Sequence, residues 1–404
     1  MNRRDSTSAD RRHIRARAFE PAVARRAIIV AISLCLGGCM TLPRQSFSLA
    51  EAVNASPPGF ANVGFDEDSS ALVDRLRKEV RPNADNEINV LALSGGGANG
   101  AYGAGVMYGW GETGARPDFQ VVTGVSAGAP VAVFSFLGRS WDERLKSLYA
   151  GASTTHLLRS RGALGLLTPG FYSKATLASL VDHYADETLI QAVAAQHAKG
   201  RRLLVATTNL DTGRLIVWDM GAIAAHGGPQ ALTLFRQVLI AAASIPGLFP
   251  PSFISVQSGN QRFSEMQVDG QVSSGFSAIP HAILLARDPA AARANVKLFV
   301  LINGALDNRF DVTPDKTVPL VARALEIGER AALRSELIAT TDYCRRNGLE
   351  LKISQLPDGE QDRPLDFSAR HVRKLFDDGV AAATTGSAWR TAEETAAIDP
   401  AGGR

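Results

Sequence analysis

Two strand-to-glycine junctions, one strand-helix unit apart, constrain this 404-residue chain more than anything else in it. The first is the apolar run Val90-Leu91-Ala92-Leu93-Ser94, which empties into Gly95-Gly96-Gly97-Ala98-Asn99-Gly100. The second is the β-rich run Phe119-Gln120-Val121-Val122-Thr123, which leads into Gly124-Val125-Ser126-Ala127-Gly128 and then a small-residue segment up to Leu137. A strand that turns sharply into a helix needs residues without bulky Cβ substituents on both sides of the turn, and Gly124 and Gly128 supply them. Such a turn is expected to hold the Ser126 hydroxyl up and exposed. Three consecutive glycines let the first loop approach a ligand closely and aim N–H groups at it, at the positive end of the following helix.

A serine nucleophile and a donor-rich loop, each leaving a strand, are the two halves of an acyl-transfer site. Taken alone, the glycine loop also suits a plain turn or a phosphate cradle. A Walker loop requires Gly-Lys-Ser/Thr, whereas Gly100-Ala101-Tyr102 follows here, which disfavours a nucleoside triphosphatase.

Downstream, strand and helix patterns alternate. Helical stretches fall near Trp141–Ala150, Lys174–Tyr184 and Glu187–Ala198, followed by a strand at Arg202–Asn209, a turn at Asp211-Thr212-Gly213 and a strand at Leu215–Asp219. An apolar helix at Leu232–Ala243, a buried strand at Val296–Asn303, a long helix at Leu320–Tyr343, a short strand at Leu351–Ser354 and a last helix at Phe367–Ala383 complete the pattern. Alternation of this kind predicts an α/β fold, a three-layer, mainly parallel sheet flanked by helices. Ligand sites in such sheets lie at the carboxyl ends of the strands, where both glycine motifs sit.

The hydroxyl needs a base. Of the seven histidines, His281 and His371 follow Asp269 in the chain, so that Ser126, Asp269 and either one would match the Ser, Asp, His order of α/β-hydrolases. Asp269 can also act directly. It ends the strand-like run Phe263-Ser264-Glu265-Met266-Gln267-Val268, and Gly270 lets the chain turn at once. A carboxylate is a weak base for a hydroxyl, so burial would have to raise its pKa toward working pH.

Four ordered blocks, Leu93-Ser94-Gly95-Gly96-Gly97, Gly124-Val125-Ser126-Ala127-Gly128, Ala242-Ala243-Ser244-Ile245-Pro246-Gly247-Leu248-Phe249-Pro250-Pro251 and Asp269-Gly270, resemble those of the patatin-like phospholipase family over about residues 88–305. The resemblance implies a serine acyl hydrolase acting on fatty-acyl esters of (lyso)phospholipids or related lipids. In it Ser126 is the nucleophile, Asp269 the proton acceptor of a dyad without histidine, and the backbone of Gly95 to Ala98 the oxyanion donor, with Ser244-Ile245-Pro246 framing the site. Two positions depart from the family pattern. Asn99, beside Gly100, stands where many members carry Lys or Arg, which removes a cation that could meet a phosphate. Gln271 replaces the usual Gly or Ala after Asp-Gly. The spacing also separates the chain from α/β-hydrolases: Gly95 and Ser126 are 31 residues apart, and Ser94 occupies the His position of a His-Gly-Gly-Gly loop. A His-containing esterase or thioesterase and a non-catalytic envelope lipoprotein are the alternatives.

The net charge of +3 is misleading. Residues 1–26 hold eight arginines against three acids, and from Cys39 onward acidic residues outnumber basic ones 37 to 35. Nothing therefore points to nucleic acid. Arg25-Arg26, the apolar run from Ala27 to Leu36 and Gly37-Gly38-Cys39 have the build of a signal peptide, and Leu36-Gly37-Gly38-Cys39 resembles a bacterial lipobox. The resemblance implies cleavage before Cys39, its lipidation, and anchoring in a bacterial envelope, with Met40 favouring the outer membrane. The organisation expected is then 1–38 signal peptide, 39–86 lipid anchor and polar tether, 87–390 catalytic domain and 391–404 flexible tail. No cofactor is needed, and no metal-ligand cluster is visible: Asp66-Glu67-Asp68 lacks the spacing of a calcium loop. Cys344 is left without a disulfide partner and reads as an idle thiol.

Overall fold

Near-continuous aliphatic runs form strands buried on both faces, and helices cover each side. The computed structural model describes residues 44–150, 172–277, 295–306, 310, 312–357 and 362–398. The strands are β1 (Gly64–Asp66), β2 (Glu87–Leu93), β3 (Val121–Val125), β4 (Arg202–Asn209), β5 (Arg214–Asp219), β6 (Ser252–Ser258), β7 (Gln261–Asp269), β8 (Asn295–Ile302), β9 (Glu350–Gln355) and β10 (Arg390–Thr391). They form one sheet in the order β1-β5-β4-β3-β2-β8-β9-β10, with the β6–β7 hairpin attached to β4 through β7.

The five central strands β4, β3, β2, β8 and β9 are mutually parallel, as the alternating pattern predicts. Pairings that involve β1, β5, β6, β7 and β10 are antiparallel, so the expected α/β sheet has a parallel centre with antiparallel additions. Short turns join two of the antiparallel pairs, β4 to β5 and β6 to β7, whereas β1, β7 and β10 reach their partners β5, β4 and β9 from distant parts of the chain.

Side chains alternate across the sheet. Leu91, Leu93, Val122, Leu203, Val205, Phe299 and Leu301 face one layer. That layer holds α1 (Gly100–Glu112), α2 (Gly128–Leu137), α3 (Gly228–Ala242) and α4 (Ala369–Thr384). On the other face, Ala92, Leu298, Val300, Ile302 and Ile353 pack on Leu333, Leu337 and Cys344 of the long helix Thr317–Asn347, and Val121, Val125, Leu204 and Ala206 pack with Leu72 of the helix Ser70–Glu79. Burial pushes the Cys344 thiol up to about 12, which leaves it protonated and inert. Among the described residues no helix is long and apolar enough to cross a membrane.

The boundaries differ from those read in the sequence. Residues 47–86 are not a tether: the chain from Phe47 onward forms a single unit. Phe47 stacks on Phe263 with ring centroids 4.2 Å apart, Phe60, Val63, Phe65, Leu72 and Val73 are buried, and β1 adds an edge strand beside β5. Between Pro58 and Pro82 the chain buries five apolar side chains, Phe60, Val63, Phe65, Leu72 and Val73, which no linker would do. At the other end the expected flexible tail begins inside structure, because Arg390–Thr391 pairs with β9 and leads into the helix Ala392–Ile398. The signal-peptide stretch, Cys35, Cys39 and His281 lie outside the described residues.

Candidate active site

Ser126 and Asp269 meet because β3 and β7 occupy the same edge of β4. β3 runs parallel to β4 and pairs Val125 with Ala206, where it ends; β7 arrives antiparallel and pairs Asp269 with the next residue, Thr207. Two strand ends are thereby brought head to head, and the Ser126 hydroxyl donates a 2.5 Å hydrogen bond to Asp269 Oδ2. The other carboxylate oxygen, Oδ1, accepts the Gln271 N–H at 2.8 Å, and the Asp269 N–H donates to Ser244 O at 3.1 Å.

The turn at Ser126 has φ 51°, in the left-handed region, as a sharp elbow between β3 and α2 requires. A Cβ on Gly128 would lie 2.5 Å from Leu93 O, and one on Gly124 would lie 2.7 Å from Ala129 Cα, so both flanking positions admit only glycine. The elbow does not expose its serine: Ser126 and Asp269 are each only 2% exposed. The glycine loop closes over them, since a Cβ on Gly95 would lie 2.9 Å from Ser126 Cβ and 2.0 Å from Gln271 Oε1. That enclosure sets the electrostatics. Burial, helped by the charge of Glu329, raises the Asp269 pKa from 3.8 to about 7 against the hydrogen bonds from Ser126 and Gln271.

The glycine loop is more committed than its sequence suggests. The Gly95 N–H donates to Gly275 O at 3.3 Å, the Ala98 N–H to Pro364 O at 2.8 Å, the Asn99 N–H to Gly96 O at 3.0 Å, and the Gly100 N–H to the carbonyls of Gly97 and Ala98. Only the N–H groups of Gly96 and Gly97 make no hydrogen bond among the described residues. Gly96 has φ 148° and sits where a Cβ would fall 2.1 Å from Asn303 O. Asn303, at the end of β8, is the brace: its N–H donates to Ser94 Oγ, its Nδ2 to Ser94 O, and its Oδ1 accepts the Gly103 N–H, at 2.8, 2.8 and 3.0 Å.

Asn99 is buried and donates to Asp362 Oδ1 at 2.7 Å, while Asp362 Oδ2 accepts from Arg330 Nη2 at 2.5 Å. No described histidine bonds to either Ser126 or Asp269; His371 lies at the start of α4, where its N–H is capped by Ser368 Oγ. Among the described residues no group of His, Cys, Asp and Glu could hold a metal ion.

With this arrangement in view, residues 91–280 match the family described as Patatin-like phospholipase. This segment belongs to the patatin-like phospholipase family. Membership makes the chain a hydrolytic enzyme of the serine-hydrolase and phospholipase kind. The patatin-like segment holds the last three residues of β2 and all of β3 through β7, and thus both strand ends that meet at Ser126 and Asp269; Asn303, Arg330 and Asp362 lie beyond it. No curated protein sequence matches the chain significantly. Among solved structures, VipD from Legionella pneumophila is similar at 14% identity and a TM-score of 0.39, over 78% of this chain and 70% of that one. Human GIVD cytosolic phospholipase A2 is similar at 11% identity and a TM-score of 0.32, over 80% of this chain and 60% of its own. The type III effector protein ExoU is similar at 13% identity and a TM-score of 0.28, over 75% of this chain and 53% of its own. The chain is therefore shorter in reach than each of them, and likeness at this distance carries no argument about activity.

Sequence reasoning missed Asn303, Asp362 and Arg330. Asn303 had a local signal, a polar residue at the end of the apolar run Leu298-Phe299-Val300-Leu301-Ile302, whereas Asp362 and Arg330 had none.

Proposed function

We propose that the chain is a Ser/Asp acyl hydrolase that cleaves fatty-acyl carboxylic esters of (lyso)phospholipids or related lipids. The observation that carries this reading is the hydrogen bond from Ser126 Oγ to a buried carboxylate whose pKa lies near 7. Ser126 Oγ attacks the ester carbonyl carbon while its proton passes to Asp269 Oδ2. The Gly96 and Gly97 N–H groups, uncommitted among the described residues, receive the oxyanion. Collapse of the tetrahedral adduct breaks the bond to the alcohol, which takes the proton from Asp269. Water then attacks the acyl-enzyme, gives a proton to Asp269, and releases the fatty acid as the proton returns to Ser126.

Asn99 is uncharged and bound to Asp362, so the loop position itself carries no cation, and in this reading recognition rests on the ester and acyl chain rather than on a phosphate. In this reading Cys39 is lipidated and holds the enzyme at a bacterial envelope membrane, the outer one, where its substrate lies. The test is release of free fatty acid from phospholipid, lysophospholipid and a short-chain aryl ester by the chain from residue 40, beside Ser126→Ala and Asp269→Asn. Loss of turnover in both variants supports the dyad, and a dead Ser126→Ala with an active Asp269→Asn removes Asp269 as the base. A wild-type chain inactive on all three esters refutes the reading.

A further inference from the structure

The long helix Thr317–Asn347, hereafter α5, lies entirely beyond the family match, yet one of its side chains reaches into the frame of the site. Glu336 is half-buried, and its two oxygens gather four donors from a single loop. Oε2 accepts from the Gly275 N–H at 2.7 Å, Ser274 Oγ at 3.1 Å and the Phe276 N–H at 3.3 Å; Oε1 accepts from the Ser277 N–H at 2.7 Å. Three successive backbone N–H groups converging on one carboxylate make an anion nest whose anion comes from the protein itself.

Glu336 supplies most of the hydrogen bonds that hold this loop, beside the Ser277 N–H to Ser274 Oγ bond at 3.1 Å and the burial of Phe276. Ser277 has φ 44°, in the left-handed region that a serine adopts only when its surroundings impose it. Gly275 is pressed so close to α5 that a Cβ there would lie 2.6 Å from Leu333 Cδ1 and 3.1 Å from Leu333 Cα.

From the loop, bonds run to both partners of Ser126. Gly275 O accepts the Gly95 N–H at 3.3 Å, which fixes the first residue of the glycine loop. The N–H groups of Ser273 and Ser274 both donate to Gly270 O at 3.0 Å, which fixes the turn directly after Asp269. Thr123 Oγ1 donates to Phe276 O at 3.2 Å, which ties the same loop to the strand that carries the serine. Gly96, Asp269 and Ser126 are thus each one short step from a peptide whose orientation Glu336 sets.

We infer that Glu336 is a positioning residue of the hydrolase: by clamping the 274–277 loop it sets the glycine loop, the Asp269 turn and the Ser126 strand in the geometry that transfers the acyl group. The inference rests on the hydrolase reading above. A glutamine cannot replace the carboxylate, because its single oxygen serves one side of the nest and its amide N–H₂ faces a backbone N–H on the other. The loop would then relax, and Gly95 and Gly270 would follow. Displacement of a catalytic group by about 1 Å costs on the order of 10²-fold in rate.

The experiment compares wild type, Glu336→Gln, Ser126→Ala and Leu337→Ala on the aryl ester, with active sites titrated to completion by an alkyl fluorophosphonate. Titration counts the folded, reactive serines, so kcat per titrated site is free of any loss of folded protein. Leu337 is the next residue on α5 and is buried in the core, so its truncation weakens the same helix without touching the nest. Glu336→Gln is expected to lose about 10²-fold in kcat per titrated site with KM unchanged, while Leu337→Ala keeps the wild-type kcat per site and unfolds at a lower temperature. Wild-type kcat per site in Glu336→Gln overturns the positioning role alone, and so does an equal fall in Leu337→Ala. A wild-type chain that is neither titrated nor active overturns the hydrolase reading, and the role of Glu336 with it.

Discussion

Asp269→Asn should make the protein inactive and, above neutral pH, more stable. In the native fold burial raises the Asp269 pKa from 3.8 to about 7. Between these two values the folded chain holds a proton that the unfolded chain has released, so this group's contribution to stability falls as pH rises through that window. Below about pH 4 the contribution is complete; above about pH 7 it is gone. At about 1.36 kcal/mol per pH unit, the loss amounts to roughly 4 kcal/mol, an upper bound because local relaxation and water entry soften the burial of a charge.

Asparagine fits the site without a new unsatisfied group. Its Oδ1 can accept the Gln271 N–H now taken by the carboxylate, and its Nδ2 can donate to Ser126 Oγ, which reverses the direction of the bond that activates the serine. The geometry survives while the proton acceptor is lost. Urea midpoints of the two proteins at pH 4.5 and pH 8 measure the effect. Glu67, Glu265 and Glu336, whose pKa values are also raised by burial, titrate in both proteins and drop out of the comparison, whereas Glu329, whose charge acts on Asp269, is relieved of that repulsion in the variant and adds to the difference in the same direction. The variant should gain stability over wild type from the lower pH to the higher by up to about 3.4 kcal/mol, the part of the bound that falls between pH 4.5 and about pH 7 at about 1.36 kcal/mol per unit. A stability difference that is the same at both pH values would refute the idea that a buried, ionising Asp269 costs the fold stability for the sake of the reaction.

In the pH-rate profile of the wild-type protein, kcat/KM should fall about tenfold per unit below about pH 7, as Asp269 takes up its proton; a profile flat through the acid range removes it as the base. Gly96→Ala places a Cβ 2.1 Å from Asn303 O at a φ of 148°, so thermal denaturation should show a loss of at least about 1–3 kcal/mol from backbone strain alone. Gly304→Ala, directly after Asn303, meets nothing within 4 Å and should leave both stability and turnover unchanged. Replacing His371 by alanine should leave ester hydrolysis intact, since both oxygens of Asp269 are occupied by Ser126 and Gln271; a dead variant would bring back a histidine-containing triad.

The sequence by itself determined the parts that are local. A hydroxyl on a tight strand-to-helix turn needs glycine at 124 and 128, a donor loop needs consecutive glycines, and a carboxylate at a strand end needs a glycine after it to turn the chain, so Ser126, Gly95 to Gly97 and Asp269-Gly270 are legible from nearest neighbours alone. The alternation of apolar runs likewise determined the parallel core from β4 to β9. Tertiary structure decided what depends on distant chain segments. That Ser126 and Asp269 touch follows from β7 running antiparallel onto the part of β4 that β3 leaves uncovered, a register no periodicity records. That Ser126 is buried rather than exposed follows from Gly95 and Gln271 closing over it, and the pKa of Asp269 follows from that closure. Phe47, Phe60 and Phe65 are isolated apolar residues among prolines and polar groups, and only the surface they found to pack on turned a tether into part of the core. Glu336 and Asn303 act through hydrogen bonds to residues 59 to 62 and 200 to 209 positions away, and a linear pattern carries no trace of a bond at that range.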